Sequence, residues 1–465
     1  MARRTGAFRL ATGSLAAGSL AAGRSAAGRI AKGIGLLGTA WMLGCGVPGE
    51  ERGTAGPSSE VRGAADETGE GAEDDRPPDA PASPDPFAVD PRHVDLRENP
   101  RLLARLRATP HNYFRFLGQP FATAVCEHFA HLDHEMPTVN LHGDAHLEQY
   151  AVTDLGRGLT DYDLATMGPA VIDLVRMGSS IDLGCRHHRF EGSVRDRAFD
   201  ALLDGYLEGL MQTGPPPDEP ASVAAIRASF HTERPAMLRL AQEAMEPVDA
   251  EERSRAVQTL ASYFAIQHRL APELPEGFFT VKEIGRFRIG IGSALDTKYL
   301  IRVEGPTEDP DDDEMLEAKE VQALESVPCI LTGRTVDPYR ILVAQSRIAY
   351  QPFPFLGFVR TESKTFWLKA WTPNYYELPV ETGLTRPDVL IEIARDIGIQ
   401  LGRGHIKQIA APLGEQLRHD EAAFVRAHRA DVRAAVNVLS ERIVGAWQRF
   451  RRASAPQPVG REDGE

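Results

Sequence analysis

The chain has 465 residues, enough for two or three bodies with cores of their own. Its 42% hydrophobic and 25% charged residues exclude an intrinsically disordered or membrane-embedded protein. A formal net charge of -14 argues against nonspecific binding to nucleic acid, whose phosphates repel it, so no nucleic-acid partner is expected. The four cysteines, Cys45, Cys126, Cys185 and Cys329, lie far apart without C-x-x-C spacing, which predicts neither a zinc site nor a disulfide framework and makes the last three small buried residues.

Residues 1–32 are rich in Ala, Gly, Ser and Arg and contain no acid, so they read as an address. The apolar run from Ile34 to Cys45 is shorter than the roughly 20 residues a spanning helix needs, but it suits the core of a signal peptide. Its ending, Met42-Leu43-Gly44-Cys45, resembles a bacterial lipobox. That resemblance implies a lipoprotein-type signal peptide over 1–45, a lipidated Cys45 as the membrane contact, and a location in the cell envelope. A cytoplasmic extension is the alternative. Residues 46–86 are Pro, Gly, Ala, Ser and acid with almost no large apolar side chain, which predicts a disordered tether.

The folded part runs from Phe87 to about Arg452. An amphipathic entry through Leu102 and Leu106 leads to His111–Arg115, expected as a turn between helices, and Phe121 to His131 reads as a helix before Pro137. Apolar spacing predicts further helices from Val171, at Val194 to Met211, Ser222 to Glu243 and Glu251 to His268. The middle then alternates: Phe278 to Glu304 reads as strand, glycine turn and strand, and Lys319 sits on a strand after an acidic loop. Strands are also expected at Arg340 to Ser346 and Phe366 to Trp371, with Trp367 and Trp371 in the core. The end is helical, from Pro387 to His405 and then in one long helix to Phe450, before a loose tail at 453–465.

The chemistry concentrates in His142-Gly143-Asp144-Ala145-His146 and in Thr160-Asp161-Tyr162-Asp163. A carboxylate beside a hydroxyl acts as a base or orienting group, and nearby carboxylates hold a divalent metal against phosphate oxygens. Read as an extended segment, His142, Asp144 and His146 share one face and form a metal site suited to a hydrolase.

The block from His142 to His146 with Gln149, then Asp161, Asp163, Gly168-Pro169 and Asp173-Leu174, resembles that of aminoglycoside phosphotransferases and other kinase-like enzymes. The order of motifs from Pro110 to Leu183, with the later Gly-rich and Lys segments, is similar to the bacterial family called domain of unknown function 2252. The resemblance implies ATP and Mg as cofactors and an acceptor it does not name. Asp144 is then the catalytic aspartate, and Asp161 and Asp163 are metal ligands. Gln149 replaces the usual metal-binding Asn, one methylene longer, and Asp173 is a structural aspartate capping backbone N–H groups. Gly290, Gly292 and Ser293 form a phosphate cradle and Lys319 the phosphate cation, with Lys298 or Lys369 as alternatives. His405 resembles a family position or serves as a helix-terminal histidine.

The glycine and lysine segments follow the catalytic block instead of preceding it. The expected fold is therefore α+β, a bilobal protein-kinase-like fold that is circularly permuted. A helical catalytic lobe over 87–275 is joined to a small antiparallel-sheet nucleotide lobe over 276–375, and helices of 376–452 return to the helical lobe. The alternative to an enzyme is a noncatalytic kinase-like envelope lipoprotein.

Overall fold

The computed structural model describes residues 85–287, 296–324, 326–331 and 336–455. Cys45, the lipobox and most of the tether lie outside the described residues, as do Gly290, Gly292 and Ser293. The fold is α+β, with many helices and small antiparallel sheets.

The larger core forms around the helix Val171–His188, which is buried at every residue from Val171 to Cys185. A helix apolar on most of its circumference has to lie inside, and here Pro110–Arg115, Gly118–His128, Gly192–Met211 and Arg429–Ala453 surround it. The helices Gly192–Met211 and Pro387–Ile406 cross backbone to backbone. A Cβ on Gly398 would stand 2.1 Å from the Leu202 carbonyl oxygen, and one on Gly402 would stand 2.2 Å from that of Tyr206. This close approach brings Tyr206 and His405 together beneath the central motif.

The largest sheet has six antiparallel strands among the described residues, in the order Glu246–Pro247, Val281–Arg286, Lys298–Val303, Glu314–Glu320, Thr365–Ala370, Gly357–Arg360. Side chains alternate across it. Ile301 and Leu316 pack under the helix Ala250–Leu270, while Leu300 and Met315 pack under Arg234–Ala244 on the other face. Those two helices, expected around the catalytic residues, therefore cover the sheet. Two smaller sheets hold the motif loops: Thr138–Leu141 pairs with Thr166–Pro169, and Tyr150–Thr153 lies between Tyr375–Glu377 and Arg157–Leu159.

Five expectations are corrected. His111–Arg115 is helical because Thr109 Oγ1 accepts the Asn112 N–H at 3.1 Å and Pro110 opens the turn. Arg340 to Ser346 lies in the helix Tyr339–Ile348, whose buried Ile341, Ala344, Gln345 and Ile348 recur at helical and not strand spacing. The stretch from Ser222 to Glu243 breaks into Ala221–Ala228 and Arg234–Ala244, with Pro235 restarting the second, and the last long helix divides at His428. Cys126 and Cys329 form a disulfide across a sequence separation of 203, while Cys185 is free and buried. No local spacing announces a pair that only the tertiary fold brings together. Among the described residues, no helix is long and apolar enough to cross a membrane.

Candidate functional site

The strand Thr138–Leu141 delivers the chain into a loop at His142, and that loop turns on a glycine. Gly143 has φ +80°, and a Cβ there would meet the Leu164 carbonyl oxygen at 1.9 Å. The loop's backbone is held from below by Asp173. One Asp173 oxygen accepts the His142 N–H at 2.7 Å and the other accepts the Gly143 N–H at 2.8 Å. Asp173 thus caps a neighbouring loop instead of its own helix. His405 Nε2 lies 3.1 Å from the same carboxylate, its Nδ1 bonds the Tyr206 hydroxyl at 2.9 Å, and that hydroxyl donates to Glu421 at 3.1 Å. All four side chains are buried. His405 is therefore part of the loop's support, beyond any interaction with its own helix end.

Asp144 projects from this loop. One carboxylate oxygen is held by the guanidinium of Arg176, which is fully buried and stacks on Phe114 with 4.3 Å to the ring centroid. The other oxygen lies 3.4 Å from Gln149 Nε2. Burial pushes the Asp144 carboxyl up from its ordinary value, with Arg176 working against that rise.

The two histidines beside Asp144 have different surroundings. His142 donates from Nε2 to the Thr160 carbonyl at 2.9 Å and accepts the Asp144 N–H at Nδ1, so both ring nitrogens serve the loop. His146 is buried against His111 and Phe114, 3.7 Å from Asp144 through Nε2. The expected convergence of His142, Asp144 and His146 on one metal does not form, because the loop curls instead of running extended.

Asp161 and Asp163 follow on a strained turn, with Asp161 at φ +58°. They meet Lys319 of the strand Glu314–Glu320. Its Nζ lies 2.7 Å from Asp161 Oδ1 and also contacts Asp163 Oδ2, with the lysine side chain only 5% exposed. The Trp367 indole N–H donates to the other Asp163 oxygen at 2.9 Å, and Arg340 donates to the carbonyls of Asp163 and Ala165. Register explains the convergence: Trp367 and Lys298 both pair with Lys319 from flanking strands. Beside them Lys369 and Glu317, also cross-strand partners, form an ion pair at 3.1 Å.

The charges are uneven. Burial opposes ionisation of Asp161, but the Lys319 ammonium holds its carboxyl well below the usual range. Asp163 is pushed up to about 7 by burial and by the Asp161 charge. Lys319 stays protonated, because the two acids outweigh its own desolvation.

Among the described residues, no group of three or more His, Cys, Asp or Glu is placed to hold a metal ion. The donor chemistry nonetheless suits Mg, which is held by one or two carboxylates together with substrate phosphates and its own waters. Asp161 and Asp163 would be those carboxylates. Gln149 now turns its amide toward Asp144. Of the proposed phosphate contacts, Lys319, Lys298 and Lys369 line one end of one sheet face, and the glycine cradle lies outside the described residues.

Sequence reasoning missed Arg176, Arg340 and the polar role of Trp367. Arg176 carried a signal: a charged residue on an apolar helix, one turn after Asp173, requires a buried partner.

A family model described as "Uncharacterized protein conserved in bacteria (DUF2252)" matches residues 95–282 and 220–453. No curated protein and no solved structure matches the chain.

Proposed function

This chain belongs to that bacterial family, and from the acids that meet Lys319 we propose a kinase-like phosphotransferase that uses ATP and Mg on an acceptor still to be found. The observation that carries the reading is the meeting of Lys319, from the later sheet, with Asp161 and Asp163, from the earlier motif, across 158 residues of sequence. A bilobal, circularly permuted kinase-like arrangement accounts for that meeting, with the sheet as the nucleotide lobe.

When bound, Mg-ATP supplies the transferable phosphoryl group. Asp161 and Asp163 would hold its metal, and Lys319 would pair with its phosphate oxygens. Asp144 orients the acceptor hydroxyl and takes its proton, while Arg176 fixes the carboxylate's direction and Asp173 fixes the loop beneath it. Gln149 offers its amide oxygen if the amide turns away from Asp144. The His142, Asp144 and His146 hydrolase alternative has less support, since both His142 nitrogens are engaged by backbone.

One observation favours a second reading. The Cys126–Cys329 disulfide fits an oxidising compartment, as does the lipobox-like ending at Cys45, and ATP is scarce outside the cytoplasm. On that reading the protein is a noncatalytic, membrane-anchored envelope lipoprotein that keeps the charged cluster for another ligand. Incubation of purified protein with γ-labelled ATP, Mg2+ and a panel of hydroxyl and amine acceptors separates the two. Label transfer that disappears in Asp144→Asn supports the enzyme. Absence of transfer, together with no thermal shift on adding Mg-ATP, supports the envelope protein.

A further inference from the structure

Lys319 does more in this structure than wait for a phosphate. Its ammonium bridges Asp161 and Asp163, the two carboxylates that a divalent cation would need, and it is nearly inaccessible to water. An ammonium is a compact point charge with three donors, so it can satisfy two carboxylates as a small metal ion does. The arrangement is built from several sides. The antiparallel register fixes the lysine on its strand, Trp367 holds the second Asp163 oxygen at 2.9 Å, and Arg340 ties the acid loop through its carbonyls.

We propose that Lys319 is the site's resident counter-ion and excludes free divalent cations from Asp161 and Asp163, so that metal enters only together with a phosphate-bearing ligand that takes over the lysine.

Two charges of one sign cannot share that position. At about 4 Å, a lysine and a divalent metal at an effective dielectric near 20 repel strongly. Lys319 has to turn away before the carboxylates take a metal, and the sheet face it lies on carries Lys298 opposite it in register, with Glu317 already paired to Lys369. A lysine displaced there needs an anion. A polyphosphate supplies one, which makes cation and phosphate binding mutually reinforcing by the same factor. The device gives the acids selectivity for a metal–phosphate complex over the free ion. This inference rests on the phosphotransferase reading for the identity of the anion, while the competition between Lys319 and metal rests on the contact of Lys319 with Asp161 and Asp163 alone.

The test is the binding of Mn2+, without nucleotide, to the full chain, followed by electron paramagnetic resonance of the free ion. Lys319→Gln is expected to bind Mn2+ at least about tenfold tighter than wild type, a gain of about 1.4 kcal/mol. Adding Asp161→Asn to that variant is expected to abolish the gain. Equal or weaker binding by Lys319→Gln overturns the proposal, as does a gain that survives Asp161→Asn. Removal of the counter-ion leaves two acids facing each other, so Lys319→Gln is also refolded in Mn2+ if it fails to fold without metal. Far-UV circular dichroism recovered only with Mn2+ supports the competition, and a chain that stays unfolded in Mn2+ overturns it. A separate titration of wild type with ATP and Mn2+ distinguishes the two levels: no ATP binding rejects the phosphotransferase reading, while tighter Mn2+ binding by Lys319→Gln still upholds the role of Lys319.

Discussion

Asp144 and the Asp161/Asp163 pair are both acidic, both partly buried and both neutralised by one basic side chain, yet they are held in different ways. Asp144 is fixed locally: Arg176 lies 32 residues away, on the buried helix that also supplies Asp173 to the loop beneath. Asp161 and Asp163 are held from far along the chain, by Lys319 and Trp367 at separations of 158 and 204 residues. The first station rests on the core helix and the second on a long-range contact with the sheet. Chemistry that requires a fixed base and an exchangeable cation would be distributed in this way.

The comparison breaks first if the anchor is not an anchor. Asp173→Ala strands the His142 and Gly143 N–H groups and leaves His405 without its carboxylate, all in buried surroundings. Loss of one partner from such a cluster costs about 3–5 kcal/mol, so urea unfolding is expected to show a destabilisation of that size. A change under about 1 kcal/mol would mean the loop is held by something else.

A smaller effect sharpens the comparison from the connector side. The Cys126–Cys329 disulfide ties the helix Gly118–His128 to the segment that follows the Lys319 strand. Replacing both cysteines with serine is expected to lower stability by about 2–4 kcal/mol, measured by chemical denaturation under oxidising conditions. The same variant should respond no further to a reductant, whereas wild type should.

The smallest effect depends on pH. Glu421 ends the chain that begins at Asp173, and burial pushes its carboxyl up to about 8, with the Tyr206 hydroxyl as its hydrogen-bond partner. A carboxyl with a raised folded pKa contributes stability that is fully present below its unfolded value and is lost as pH rises through the folded one. The window therefore runs from about 4.5 to about 8. Glu421→Gln keeps the oxygen that accepts from Tyr206 and removes the titration. Its stability relative to wild type is expected to rise by about 2 kcal/mol between pH 5 and pH 6.5, measured by thermal unfolding across that range. A constant difference across the range would show that Glu421 does not titrate with folding.

Much of this was legible before the structure. Asp144, Asp161 and Asp163 stood out because acids concentrated around glycine turns resist a packing explanation. Lys319, on an expected strand, was singled out by resemblance to the family's Lys-Glu segment, with Lys298 and Lys369 as alternatives. The helices at Val171 and Pro387 were visible from apolar spacing alone. What stayed hidden depends on distant partners. Nothing near Cys126 signals Cys329, and nothing near Trp367 shows that its indole serves Asp163 instead of merely filling space. The helix Tyr339–Ile348 was misread because Ile341, Leu342 and Val343 favour strands locally, while burial of Ile341, Ala344 and Ile348 selects the helical period in the fold.

The central claim is that the acids facing Lys319 form a metal-dependent nucleotide site, and isothermal titration calorimetry with ATP tests it most directly. Wild type is expected to bind ATP only with Mg2+, and Asp161→Asn to lose at least about tenfold in affinity, about 1.4 kcal/mol, while melting as a folded protein. Binding of ATP that is indifferent to both Mg2+ and Asp161→Asn, or no binding by wild type at all, would contradict the account.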